Sequence, residues 1–245
     1  MPQALKIYGC GQTDVGLVRQ SNEDSFGLFP GLHLYMVADG MGGHAAGEVA
    51  SRIAVESVRK YLAEQQDGAA DARTRLVHAL EGANHAIHEA GEYDPGLNGM
   101  GTTAVAVHAV EDAVCIAYVG DSRVYLYHEN QLEQITQDHS LVNEYVRQGL
   151  LTREAAAHHP MRHVISRALG ANAQVEVEVI QRVPTRGDTL LLCSDGLSNK
   201  VPLAEMQAIF AAPRERLEQY ADALIQKAKD QGGEDNITVV LVRYQ

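Results

Sequence analysis

The stretch TTAVAVHAVEDAVCIAYVGDSRVYLYHENQLEQI, residues 102–135, decides the fold class. It holds four short apolar runs, 102–109, 113–119, 122–128 and 131–135. Asp112, Gly120-Asp121 and Glu129-Asn130 stand at the breaks between them. Spacing this short implies strands joined as antiparallel hairpins. Upstream, HLYMVA (33–38) reads as a buried strand ending in Asp39-Gly40. Amphipathic helices follow at 45–63 and 72–90, where Val49, Ile53 and Leu76, Leu80, Ile87 recur at helical spacing. Downstream the pattern predicts a helix at 140–149, an irregular stretch at 150–165, and strands at 174–181 and 189–193. Helices at about 202–211 and 214–230 and a last strand at 237–243 complete it. Helices come in pairs and strands in clusters, not in alternation. That is the mark of an α+β protein with antiparallel sheets covered by helices, not of a doubly wound parallel sheet.

Composition narrows the function classes. The 245 residues include 32 acidic and 20 basic side chains, a net charge of −12. Phosphate contacts need clustered Lys and Arg, so no nucleic-acid partner is expected. No apolar run reaches the ~20 residues of a membrane helix, and the longest, Ala104 to Val119, is broken by His108, Glu111 and Asp112. No membrane association is expected. The opening MPQALKIYGCGQTD lacks the charged and apolar regions of a signal peptide. Cys10, Cys115 and Cys193 are too few and too scattered for a disulfide framework, which points to a reducing cytoplasm. In that setting the glycosylation sequon Asn236-Ile237-Thr238 reads as chance. There is no repeat and no linker, so residues 1–245 read as a single domain.

Aspartates recur where the strands end. Asp39 and Asp195 each follow an apolar strand and precede a glycine; Asp121 follows strand 113–119 through Gly120; Asp235 stands just before strand 237–243. In antiparallel sheets the end of one strand lies beside the start of its neighbour, so these carboxylates can meet at one rim. Packed carboxylates repel, and burial raises their pKa values. A hard divalent cation relieves both costs. Tight turns also favour Asp-Gly, so one such pair alone means little. Four of them, joined by Asn22-Glu23-Asp24, point to a shared metal site.

Eight segments in order carry a resemblance. They are GLVRQSNEDSF (16–26), MVADGMGGHAAGEVAS (36–51), GTTAVAV (101–107), AYVGDSRVYL (117–126), QITQDHSLV (134–142), ISRALG (165–170), LLLCSDGLS (190–198) and EDNITVVLV (234–242). Together they resemble the metal-dependent Ser/Thr protein phosphatases of the protein phosphatase 2C family in their bacterial form. The resemblance implies an αββα sandwich, two packed antiparallel sheets flanked by helix pairs, with a flap at about 140–165. It implies two Mn²⁺ or Mg²⁺ ions at one edge, and a third, weaker site. By position, Asp39 would bridge the two ions, the Gly40 carbonyl would bind one, and Asp195 and Asp235 the other. Glu23 and Asp24 would act mostly through water on the ions, and Arg19 would bind the substrate phosphate with its planar fork. Asp121 matches the ligand of the third ion. His163 stands where some relatives have a serine on that ion; it is either a ligand or a flap side chain facing water.

The chemistry expected is hydrolysis of phosphoserine or phosphothreonine by a water that two cations bring toward neutral pKa. A cysteine nucleophile would need Cys-x₅-Arg, yet Gly16, Asp121 and Asn199 stand six residues after the cysteines. The proton donor to the leaving oxygen stays open. Many eukaryotic relatives have a histidine where this chain has Met41, and water, His44 or His163 could serve. The substrates implied are phosphorylated proteins, among them a cognate Ser/Thr kinase and its targets, acted on by a monomer. Two other readings remain: a catalytically silent phosphoprotein-binding module, and a phosphatase of small regulators such as anti-sigma-factor antagonists.

Overall fold

The structure, a computed structural model, describes residues 5–42, 46–65, 70–110 and 113–245. In chain order, strands β1 (Ile7–Asp14), β2 (Asp24–Phe29) and β3 (Leu34–Met41) lead into helices α1 (Ala46–Glu64) and α2 (Ala72–Tyr93). The strand cluster follows: β4 (Gly101–Thr102), β5 (Ala104–Val110), β6 (Ala113–Val119), β7 (Arg123–His128) and β8 (Gln131–Gln134). Short helices α3 (Leu141–Arg147) and α4 (Arg153–Ala157) precede β9 (Glu178–Arg182) and β10 (Thr189–Cys193). Helices α5 (Asp195–Ser198), α6 (Leu203–Ala211) and α7 (Glu218–Asp230) and strand β11 (Ile237–Tyr244) end the chain.

The strands form two antiparallel sheets. One runs β1-β11-β10-β7-β8, the other β2-β3-β5-β6-β9 with β4 paired to β3. Alternation along each strand explains the layering, because successive side chains point to opposite faces. In β3, Tyr35 and Val37 face the other sheet, where Val124, Leu192, Val240 and Val242 pack against them. Leu34, Met36 and Ala38 face α1 and α2. Ala104, Ala106 and Ala117 share that outer face, and their small size lets the helix pair lie close. Leu191, Cys193, Val239 and Leu241 cover the other outer face beneath α6 and α7. Helix, sheet, sheet and helix thus stack as the sandwich that the resemblance implies. Each fully buried Leu or Val side chain in these layers contributes about 1.5–3 kcal/mol of transfer free energy.

Local signals account for the element ends. Asp71 caps α2 by accepting from Thr74 N at 2.9 Å. Glu129 and Asn130 both take positive φ, 45° and 64°, as a two-residue hairpin between β7 and β8 requires.

The sequence reading differs from the structure at several points, among them α5, which it does not predict, and α7, which starts at Glu218 and not at 214. Strands β1 and β2 were not predicted: β1 is an edge strand carrying two glycines, and β2 has six residues with no clean alternation. Asp39 and Gly40 lie inside β3, not beyond it. The irregular stretch at 150–165 contains α4, and the strand expected from 174 starts at Glu178. Asp112 and His44 lie outside the described residues.

Candidate metal centre

The register of β2 against β3 sets Asp24 directly opposite Asp39. Two like charges so placed would destabilise a sheet pair on their own. The Asp39 backbone is held from the neighbouring segment: its N–H donates to Thr103 Oγ1 at 3.0 Å, and its carbonyl accepts from Thr103 N and Thr102 Oγ1, each at 2.9 Å. Thr103 Oγ1 in turn shares a 2.7 Å hydrogen bond with Ser122 Oγ, beside Asp121. Gly40 is needed here, because a Cβ would run into the carbonyl oxygens of Gly47 and Glu23. A Cβ on Gly47 would likewise meet the Glu23 carboxylate, which therefore lies against the first turn of α1, the positive end of that helix.

The other sheet supplies the remaining carboxylates. Asp195 opens α5 directly after β10, and Asp235 precedes β11, the antiparallel neighbour of β10. Asp121 sits in the connection from β6 to β7, which passes from one sheet to the other. The rim is therefore built from both sheets, not along one. Asp24 ties them together: its buried Oδ2 accepts from Ser194 Oγ at 2.7 Å and Thr238 Oγ1 at 2.6 Å.

Burial pushes the Asp39 carboxyl well above its ordinary range, and Asp24, Asp195, Asp121 and Asp235 add repulsion. Burial likewise raises Asp24 to about 7, against the lowering effect of its two hydroxyl partners. Asp121 is raised to about 7 by burial and then by Asp195. Asp195 is also raised by burial and by Asp235, opposed by a hydrogen bond shared with the Asp39 carboxyl and by the charges of His163 and Arg123. As the side chains stand, no three His, Cys, Asp or Glu among the described residues are grouped as ligands of one ion. Asp235 turns instead to Arg19 at 2.8 Å, and Asp24 to its hydroxyls. The donor chemistry fits a hard divalent cation all the same. It is all oxygen, largely buried, and short of compensating positive charge.

Arg19 and Glu23 lie on the loop between β1 and β2. The buried Asn236 side chain staples that loop, a role the sequence reading missed. Its Nδ2 donates to Val15 O at 3.0 Å and Ser21 O at 2.9 Å, and its Oδ1 accepts from Glu23 N at 2.8 Å. The only sequence signal was the Asn236-Ile237-Thr238 sequon, whose asparagine and threonine both serve this site. Ser194 was missed as well. His163 is exposed on the flap, whose ends are joined by the Ser140–Ile165 bridge and by Leu141 N donating to Val164 O at 2.9 Å. Met41 ends β3 and has no transferable proton. All three cysteines are free and buried, and burial pushes the Cys10 and Cys193 thiols up to about 12, far from nucleophilic.

Comparison with known proteins gives a consistent result. The family model "Protein phosphatase 2C" matches residues 17–241. The serine/threonine phosphatase stp of Listeria innocua is 44% identical over 236 residues, 94% of this chain and 93% of that protein. The crystal structure of the Mycobacterium tuberculosis serine/threonine phosphatase PstP/Ppp superposes with a TM-score of 0.88 at 38% identity, covering 97% of this chain and 98% of that one. The PstP catalytic domain in complex with 2 manganese ions matches with a TM-score of 0.84 at 38% identity, covering 98% and 99%.

Proposed function

Because the chain belongs to the protein phosphatase 2C family, we propose that the rim around Asp39 is the seat of its activity. That activity is metal-dependent hydrolysis of phosphoserine and phosphothreonine in proteins, with manganese or magnesium as the cofactor. The observation that carries the assignment of the site is the opposition of Asp24 and Asp39 at a buried rim shared with Asp195, Asp121 and Asp235. Asp39, the Gly40 carbonyl, Asp195 and Asp235 would hold two cations, with Asp24 and Glu23 behind them and Asp121 at a third, weaker position. The cations supply a water of lowered pKa and offset the charge that gathers on the phosphoryl oxygens.

The chain's own groups do the rest. Arg19 donates only to Asp235 among the described residues, and its half-exposed guanidinium keeps further donors for the phosphate oxygens of a substrate. The Asn236 staple fixes the loop that carries it. The Thr102 and Thr103 bonds hold Asp39 in one place, so the charge array is organised before substrate arrives. Met41 has no proton to give the leaving oxygen, so the donor would be a water held by the cations, His44 or His163, and water is the preferred reading.

The substrates would include a Ser/Thr kinase and that kinase's targets, met by a monomeric single domain of residues 1–245. The free, buried thiols support a reducing cytoplasm. Among the described residues no helix is long and apolar enough to cross a membrane. The test is turnover of p-nitrophenyl phosphate and a phosphothreonine peptide with Mn²⁺ and with EDTA. Turnover with Mn²⁺ that EDTA abolishes is expected; binding of the peptide without turnover would make the chain a phosphoprotein-binding module.

A further inference from the structure

A pocket of about 440 Å³ opens between the flap and α5. Its walls include Arg153, Arg162 and His163 from the flap side and Ser198 and Asn199 from the α5 side. Asn199 Nδ2 donates to Asp195 Oδ2 at 3.0 Å, so the wall of this pocket is continuous with the carboxylate rim. Arg123 and Asp138 also face it, but they satisfy each other: Arg123 Nε and Nη2 donate to Asp138 at 2.9 Å and 2.7 Å. That pair is neutral as a unit. Arg153 and Arg162, by contrast, have no ion pair among the described residues, and both are exposed. The Ser198 hydroxyl is buried and has no hydrogen-bond partner among the described residues. Two exposed guanidinium forks without an ion pair therefore line one cavity beside Ser198 and Asn199, in a chain whose net charge is −12.

We propose that this pocket is a subsite for a second anionic group of the substrate, a carboxylate or phosphate near the phosphoresidue being hydrolysed. The proposal rests on the phosphatase reading of the adjoining rim. Guanidinium forks match the planar oxygens of both anions and bind them through charge-assisted hydrogen bonds. The volume lies within the range of pockets that enclose small groups. The continuity through Asn199 and Asp195 ties the pocket to the reacting phosphate. An anion carried on the same peptide is then delivered at high effective concentration, whereas a free anion is not. The overall negative charge of the protein would disfavour acidic peptides in general; this pocket reverses that preference for an anion placed where it can reach the two arginines.

The experiment compares three phosphothreonine peptides of equal length, with neutral, glutamate-containing or second-phosphate flanks, in the presence of Mn²⁺. The enzymes are wild type, R153A/R162A and R153K/R162K, each checked for an intact melting transition. Wild type should show a kcat/KM for at least one anionic peptide about tenfold above the neutral one, mainly through KM. The double alanine variant should bring that ratio to about one, and the lysine variant should keep part of it. Whichever anionic peptide is preferred identifies the group bound. A wild-type ratio of one, or a ratio unchanged in R153A/R162A, overturns the subsite. No Mn²⁺-dependent turnover of any peptide or of p-nitrophenyl phosphate fells the phosphatase reading itself, and the subsite with it.

Discussion

The rim and the flap are charge opposites. The rim gathers carboxylates whose hydrogen-bond partners among the described residues are hydroxyls, a backbone N–H, the Asn199 amide, one another and the single arginine Arg19. The flap presents Arg153 and Arg162 with no ion pair among the described residues, Arg153 only acting at longer range on its neighbour Glu154. Between them stands Arg123–Asp138, where the same two residue types meet and cancel. The chain can therefore neutralise a half-buried carboxylate with its own arginine, and at Asp39 it does not. Charges left unbalanced on rigid strands suit a tightly held cation. Charges left unbalanced on an exposed short helix and turn suit a ligand that comes and goes.

The strongest way to break this comparison is at its centre. Asp39→Asn should lower kcat on p-nitrophenyl phosphate by about a thousandfold or more, since it removes the carboxylate proposed to hold both cations. The melting temperature should hold or rise, because a buried repulsion goes with it. Wild-type turnover by this variant would mean that the rim is not the site. A smaller effect is expected behind the ligands. Ser194→Ala with Thr238→Val leaves Asp24 without its two hydroxyl partners and should weaken the apparent Mn²⁺ affinity by about 10–100-fold, read from activity against Mn²⁺ concentration. No change would reduce those hydroxyls to packing.

Asn236→Ala removes three hydrogen bonds and leaves Val15 O, Ser21 O and Glu23 N to find others. Denaturant unfolding should show a loss of about 1–3 kcal/mol. KM for phosphopeptide should rise with it if the staple positions Arg19, and stay level if it only braces the fold. The smallest effect lies away from both regions. His108 on β5 is held at about 4 by burial, below its ordinary 6.5. The unfolded chain binds the extra proton first, so stability is full above about pH 6.5 and declines as pH falls toward 4. His108→Phe should flatten that part of the stability curve, with melting temperature against pH as the readout.

The helix pairs, the strand cluster and the acidic rim were legible in the sequence because each repeats a simple signal. Apolar periodicity marks α1 and α2, and Asp beside Gly at a strand end marks Asp39 and Asp195. Strand β1 was not legible, since Gly9 and Gly11 interrupt its pattern and much of it is exposed at a sheet edge. The glycines have a tertiary cause: a Cβ at Gly9 would clash with the Tyr35 ring, and one at Gly11 with Phe26. Asn236, Ser194 and Thr238 were not legible as site residues because their role depends on partners about 170 to 220 residues away. The flap pocket was invisible for the same reason. It needs Arg153 and Arg162 set against Ser198 and Asn199, a juxtaposition no local pattern announces.

Strand β11 follows β1 to β10 in sequence and yet lies between β1 and β10. Lys6 and Gln245 exchange backbone hydrogen bonds at 2.7 Å and 2.8 Å, extending the pairing that joins β1 to β11 along their whole length. On the ribosome, β1 has no partner until β11 emerges, and Asp235, Asn236 and Thr238 arrive with it. The nascent protein can pack α1 and α2 on β3, β5 and β6 early, because those contacts are comparatively local. It can complete neither the first sheet nor the acidic rim until β11 has been made. The proposed metal site therefore cannot form before β11 pairs with β1 and β10.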